Sequence, residues 1–285
     1  MKVRLDRVKI WEVEGKQSTV TRTWRVLLAV SLLGLTSLPA SAVDEKQPTA
    51  EQIAETVIFI YGTRPGLAQV RRSGMERGRI VRLREDGRSE EATYERRFVR
   101  GESLEKDKVR LDQKLPNMEY SLVYNGGRIW GRIGETFFTP RQETVDEFIA
   151  EMRHGLDALL RYKENGSTLT LVGKDKQKNI DLWVLDVTDK EKNRTRYYIS
   201  AKSWRVLWLE YEKPGVGLGS TPVKYKKSFH DYRYAQSTLV PFRTVLYVDG
   251  KMQQETQLLT VTYGVRMEDV VFQSPEAAAA ASVTP

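Results

Sequence analysis

From residue 68 to residue 264 the chain mostly alternates apolar and polar side chains, in runs rich in β-branched and aromatic residues. That two-residue period is the mark of strands with one buried face. Runs are predicted over 68–84, 91–100, 107–113, 119–125, 128–133, 167–174, 180–187, 194–200, 205–212, 225–235, 242–248 and 251–264. Between them stand Asp86-Gly87, Asn125-Gly126-Gly127 and Asp249-Gly250. Asn or Asp followed by Gly tolerates the positive φ angles of tight hairpin loops, so neighbouring runs should pair antiparallel.

Two stretches switch to a helical period. In Pro48-Thr49-Ala50-Glu51-Gln52, Thr49 can cap free amides while Gln52 reaches back; Ile53, Val57 and Ile60 form a stripe, and Gly62 ends it. A stronger helix is predicted from Thr144, with Glu147 completing a capping box and Asn165-Gly166 as the stop. Its apolar positions are Val145, Phe148, Ile149, Met152, Leu156, Leu159 and Leu160, one wide face that must lie on a hydrophobic surface.

A dozen strands without regular strand–helix alternation argue for a single α+β domain, mainly antiparallel β, over 43–275. A sheet that large curls because strands twist. Residues 180–187 and 206–209 are apolar on both faces and cannot face water on either side. The expected architecture is therefore a curled open sheet, a half-barrel, whose concave face is covered by the helices, leaving a groove or cavity. Residues 276–285 lack a second apolar face and read as a disordered tail.

Composition then changes the picture at the N-terminus. The formal charge is +8, which taken alone points toward nucleic acid, anionic lipid or acidic partners. Residues 20–42 carry basic residues, an apolar stretch over 26–38 and then Pro39-Ala40-Ser41-Ala42, the order of a secretory signal cleaved after Ala42. An uncleaved anchor is the competing reading. Residues 1–18 are long and mixed in charge for the start of a signal, which suggests a downstream translation start, for example at Val20. Removing 1–42 takes away seven basic and three acidic residues and lowers the charge to +4. With no cysteine there are no disulfides, thiolate metal sites, Cys nucleophiles or lipid-bearing Cys. An exported, soluble periplasmic protein is expected, with nucleic acid excluded as a partner.

The order of export signal, capped helix, four or five strands, amphipathic helix and a strand-rich second half resembles the periplasmic lipoprotein carriers and their Lol-type lipoprotein-sorting relatives. Leu185-Asp186-Val187, Tyr197-Tyr198-Ile199-Ser200, Trp204-Arg205-Val206-Leu207, Leu239-Val240-Pro241-Phe242 and Val271-Phe272-Gln273-Ser274-Pro275 are similar to that family's closing strands and terminal Phe-x-x-Pro element. The resemblance implies a half-barrel whose apolar interior accepts lipoprotein acyl chains or similar lipids, with a membrane-protein donor or acceptor as partner.

Chemistry-bearing residues are sparse. His154 falls on the predicted polar side of the second helix, and His230 and Asp231 are adjacent in a strand, pointing to opposite faces; both histidines read as structural. The glycines of Gly215-Val216-Gly217-Leu218-Gly219-Ser220 do not lie between a strand and an amphipathic helix, so a rim loop is the better reading than a phosphate loop. Residues 70–114 hold fourteen Lys/Arg interleaved with ten acids, which fits cross-strand ion pairs on a solvated face; a basic rim for anionic lipid is the alternative. No cofactor or metal is expected.

Phe148, Met152 and Leu156 on the second helix, with Trp183, Leu185, Tyr198, Trp208 and Leu246 on strands, are the candidate ligand lining, since Met adapts to irregular ligands and aromatics supply contact area. The alternative is that they fill a dry core. The leading expectation is a non-catalytic carrier or sensor of acyl chains. The rivals are a protein-interaction module in envelope stress signalling and an enzyme using Asp181, Asp186 or Glu210.

Overall fold

The computed structural model describes residues 47–84, 86–215 and 220–277. The expected export signal with its cleavage site, most of the glycine-rich loop and all but two residues of the expected tail lie outside these.

Thirteen strands form one antiparallel sheet: β1 (Ser73–Leu83), β2 (Ser89–Val99), β3 (Lys108–Lys114), β4 (Glu119–Asn125), β5 (Arg128–Ile133), β6 (Thr136–Phe138), β7 (Thr168–Gln177), β8 (Ile180–Thr188), β9 (Arg194–Ser200), β10 (Val206–Lys213), β11 (Val223–Ala235), β12 (Thr238–Val248) and β13 (Lys251–Tyr263). Their spatial order is β6-β5-β4-β3-β2-β1-β13-β12-β11-β10-β9-β8-β7. Two hairpin meanders thus run outward from the middle, and the pairing of β1 with β13 joins them. The edges β6 and β7 do not pair, so the sheet is not closed into a barrel. On β7 a register shift between Leu171 and Gly173, with Gly173 at φ 144°, bends the edge.

Among the described residues four α-helices accompany the sheet: α1 (Ala50–Tyr61), α2 (Arg64–Val70), α3 (Gln142–Arg153) and α4 (Leu156–Leu160). α3 and α4 carry the chain from one sheet edge to the other. Laid flat, thirteen strands would separate the edges by roughly 58 Å, whereas the helices supply about 26 Å of length. Strand twist curls the sheet and shortens that path, which gives the expected half-barrel with helices on its inner face.

α1 starts as expected: Thr49 Oγ1 accepts from the Gln52 amide at 3.2 Å and Gln52 Oε1 accepts from the Thr49 amide at 2.8 Å. Gly62, at φ 140°, ends it. Ile53, Ala54 and Val57 are completely buried against β7–β12, in a cluster with Leu185, Tyr197, Ile199 and Leu209. At the end of α1 the Tyr61 hydroxyl donates to Tyr232 Oη at 2.8 Å and accepts from the Val206 amide at 3.2 Å. Tyr232 in turn donates to the Val206 carbonyl at 2.6 Å.

Three expectations need correction. The run predicted from residue 68 begins as a strand only at Ser73, because Thr63 and Pro65 start α2 directly after Gly62. The second helix starts at Gln142 rather than Thr144: the Val145 amide already bonds the Arg141 carbonyl at 3.1 Å, so Thr144 lies inside the helix and its capping box does not form. It also breaks at Gly155, whose extended backbone separates α3 from α4, and whose carbonyl accepts from the buried Tyr197 hydroxyl at 2.7 Å. β6, three residues long, carried too little pattern to be predicted.

At the central junction the register shifts between Arg77 and Gly78, where Leu259 of β13 is the extra, bulged residue. A Cβ on Gly78 would sit 2.2 Å from the Gln257 carbonyl oxygen and 2.6 Å from the Tyr94 ring. Since the obstacle is backbone, Gly78→Ala is expected to lower stability by about 1–3 kcal/mol, read as a lower urea midpoint. A Gly87→Ala control, in open space, should lose less, through its φ of 79° alone.

Candidate ligand site beneath the third helix

Strand alternation sorts the basic segment 70–114 onto two faces. On the outer face Arg77 pairs with Glu95, Arg79 with Glu91 at 3.8 Å, and Arg97 and Arg110 with Asp112 at 2.9 and 2.8 Å. This is the cross-strand pairing expected from the interleaved charges. Several other charges of the segment depart from it. Arg96 turns inward to Glu76 at 3.2 Å, and Arg71 and Arg100, just outside the strands, reach Asp157 on α4. Arg161, 4% exposed, holds Asp107 through two contacts of 2.8 and 3.1 Å and donates to the Gly101 carbonyl at 2.8 Å. Burial alone would raise the Asp157 pKa, but the guanidiniums of Arg100, Arg71, Arg161 and Arg96 outweigh it and hold the carboxyl well below the usual range. A charged seam therefore ties α4 to β1–β3.

Two apolar patches flank that seam. One, under α1 and α4, is the densely packed cluster already described. The other, formed by Phe98, Val109, Leu122, Tyr124, Val240, Leu258 and Tyr263, lies beneath α3. The two helical covers differ in how they are seated. On α3 only Phe148 and Ala150 are buried; Val145, Ile149 and Met152 stay partly exposed. Polar contacts supplement this seat: Lys227, buried on β11, pairs with Glu151, and Lys213 donates to the Asp146 carbonyl at 3.4 Å.

His154, read from sequence as facing solvent, is 6% exposed. As the C-cap of α3 it leaves the helical path and turns toward the sheet, where its ring stacks on Tyr211 at 3.8 Å and Nδ1 lies 2.7 Å from Thr195 Oγ1. Burial, reinforced by Lys227 and Lys213, lowers its pKa to about 3.

The eight candidate lining residues divide among four places. Phe148 and Met152 belong to the patch beneath α3, with Phe148 stacked on Tyr124 at 6.5 Å. Leu156, Trp183 and Leu185 belong to the cluster under α1 and α4. Leu246 belongs to neither cluster and is paired across strands with Lys227 and Gln254 on the inner face. Tyr198 and Trp208 project from the outer face, because their neighbours Tyr197, Ile199 and Leu209 point inward; they stack at 4.5 Å over Glu210, which accepts from both. Asp181 and Asp186 are held by Lys176 and Arg196. His230 lies 3.0 Å from Ser228 Oγ on the outer face. No cluster of His, Asp or Glu suited to a metal occurs among the described residues. Two recesses, of about 440 and 190 Å³, flank the 3-10 turn Asp269–Phe272; neither is lined by α3. The inward arginines were missed because the face a strand turns to the core is set by its pairing across the sheet, and His154 because the helix ends at it.

Solved structures share this architecture. The chain is similar to a DUF1329 family protein from Desulfovibrio piger (TM-score 0.57, 11% identity) and to a LolA superfamily protein from Nitrosomonas europaea (0.55, 10%), in both cases over 81% of this chain and 100% of the other. It is also similar to an outer membrane lipoprotein-sorting protein domain from Vibrio parahaemolyticus (0.52, 10%), over 77% of this chain and 97% of that domain. The fold is thus the LolA-like half-barrel. No protein-family model and no curated protein sequence matches the chain. Among the described residues no helix is long and apolar enough to cross a membrane.

Two outcomes follow from the buried charges. Asp157→Asn strips the seam of its central carboxylate and should destabilise the protein by about 3–5 kcal/mol in urea unfolding, since it leaves buried guanidiniums uncompensated. His154 binds protons far more weakly folded than at its ordinary pKa of 6.5. Its contribution is therefore complete above pH 6.5 and is lost as the pH falls toward 3. Between pH 7 and pH 5 the loss should be about 2 kcal/mol, and His154→Phe, which keeps a ring against Tyr211, should flatten that slope.

Proposed function

We propose that the protein is a non-catalytic periplasmic carrier that holds an acyl chain, of a lipoprotein or another lipid, between α3 and the inner face of the sheet. The observation that carries this reading is the contrast between the two helical covers. Ile53, Ala54 and Val57 of α1 are sealed completely, whereas Val145, Ile149 and Met152 of α3 remain partly exposed above an apolar surface. A helix held by one buried aromatic and a few polar contacts can lift at modest cost. Each methylene of a ligand placed under it would then contribute about 0.8 kcal/mol of burial. Phe148, Met152 and Leu246 form the proposed lining. Leu156, Trp183 and Leu185 continue it toward α4.

The proteins of like fold whose names refer to lipoprotein sorting and to the LolA superfamily support a lipidic ligand. Export, and a donor or acceptor in the membrane, complete the proposal.

Native mass spectrometry of mature protein purified from the envelope without detergent is expected to show bound lipid. Ile149→Trp, which adds bulk where a chain would enter beneath a lifted α3, should reduce uptake of a fluorescent apolar probe at least about tenfold while leaving the fold intact. Protein that carries no lipid and takes up no probe would remove the carrier reading.

A further inference from the structure

Among the described residues one inward-facing guanidinium forms no ion pair. Register pairs Leu209, Lys227, Leu246, Gln254 and Arg82 in one row across β10, β11, β12, β13 and β1. Leu209 is in the inner core, so the row lies on the inner face. Lys227 in that row has Glu151, and the other inward guanidiniums, Arg71, Arg96, Arg100 and Arg161, each have a carboxylate. Among the described residues Arg82 has none within ion-pair distance. Its partners are two neutral amide oxygens: Nε donates to Gln254 Oε1 at 3.1 Å and Nη2 to Gln113 Oε1 at 3.2 Å. Gln113, 3% exposed, also accepts from the Tyr120 hydroxyl at 2.7 Å. Glu90, the cross-strand neighbour of Arg82, is taken by Arg84 at 2.9 Å. Glu147 of α3 is near enough to act on Arg82 electrostatically but forms no ion pair with it.

The amide cradle orients the guanidinium without neutralising it, and it adjoins the apolar patch. On the same strand faces Gln113 is followed by Leu111 and Val109, and Tyr120 by Leu122 and Tyr124. From Gln113 to Val109 is about 13 Å of strand, ending under Phe148, which stacks on Tyr124. We propose that Arg82, held by Gln113 and Gln254, receives the anionic head of an amphiphilic ligand whose tail lies along β3 and β4 beneath α3. This rests on the reading that α3 covers an apolar ligand, and it adds the charge and direction of that ligand.

The test is calorimetric binding of dodecanoate, dodecyl phosphate and dodecanol, below their aggregation limits, with acetate and inorganic phosphate as tailless anions. The wild-type chain should bind the two anionic amphiphiles at least about tenfold tighter than dodecanol, as a charge-assisted hydrogen bond requires, and should bind neither tailless anion at millimolar concentration. Arg82→Gln should abolish the anion preference while leaving dodecanol affinity unchanged, which also shows that the variant is folded. Arg82→Lys should retain part of the preference. Equal affinity for dodecanol and dodecanoate in the wild type, or an anion preference that survives Arg82→Gln, overturns the assignment of Arg82 and leaves the carrier reading standing. Tight binding of free phosphate or acetate overturns the amphiphile in favour of a small anion. Failure of every tailed probe to bind overturns the carrier reading itself, and this inference with it.

Discussion

The pairing of β1 with β13 is the constraint on which the rest of the structure depends. Each meander could in principle form on its own, but neither has an inner face wide enough to receive the helices. Joined at the centre, they make one twisted sheet whose curl brings distant edges near enough for two short helices to connect them. The contact that joins them is sterically demanding: a glycine passes a carbonyl oxygen at a distance no side chain would tolerate. Sheet curvature, helix placement and the proposed ligand site all follow from that join.

Within this frame the inner face is not uniformly greasy. A band of arginines and carboxylates divides two apolar patches and anchors α4, while α3, on the far side of Gly155, is seated more lightly. Buried ion pairs contribute little net stability compared with apolar packing. They are, however, intolerant of misplacement, so the band fixes where α4 must sit. The break at Gly155 thereby separates a cover fixed by charge from one seated more lightly. For the proposed carrier, which would both hold and release a ligand, this division matters more than the total burial.

Much of the architecture was legible in the sequence. Hairpin turns such as Asn125-Gly126 and Asp249-Gly250, the Thr49–Gln52 cap and the Gly62 stop fixed most element boundaries, because each depends on local backbone chemistry. The inner-face charges were not legible. Whether Arg96 faces Glu76 or water depends on strand phase, and Arg71 and Arg100 find Asp157 through contacts more than fifty residues apart in sequence. The lining was only partly readable for the same reason. Phe148 and Met152 follow from helical spacing, but Tyr198 and Trp208 look no different in sequence from Tyr197 and Leu209, and only pairing places them outside.

The open edge formed by β7 bears on how the molecule behaves among its own copies. A ten-residue strand with a free row of amides and carbonyls invites a second molecule to add as a fourteenth strand. The kink at Gly173 interrupts that row, and Lys174 and Lys176 place charge along it. At the opposite end β6 offers only three residues. A half-barrel cannot remove its edges by closing on itself, as a full barrel does. Here both edges are poor templates instead, which leaves the sheet open while offering little on which a fibre could be seeded.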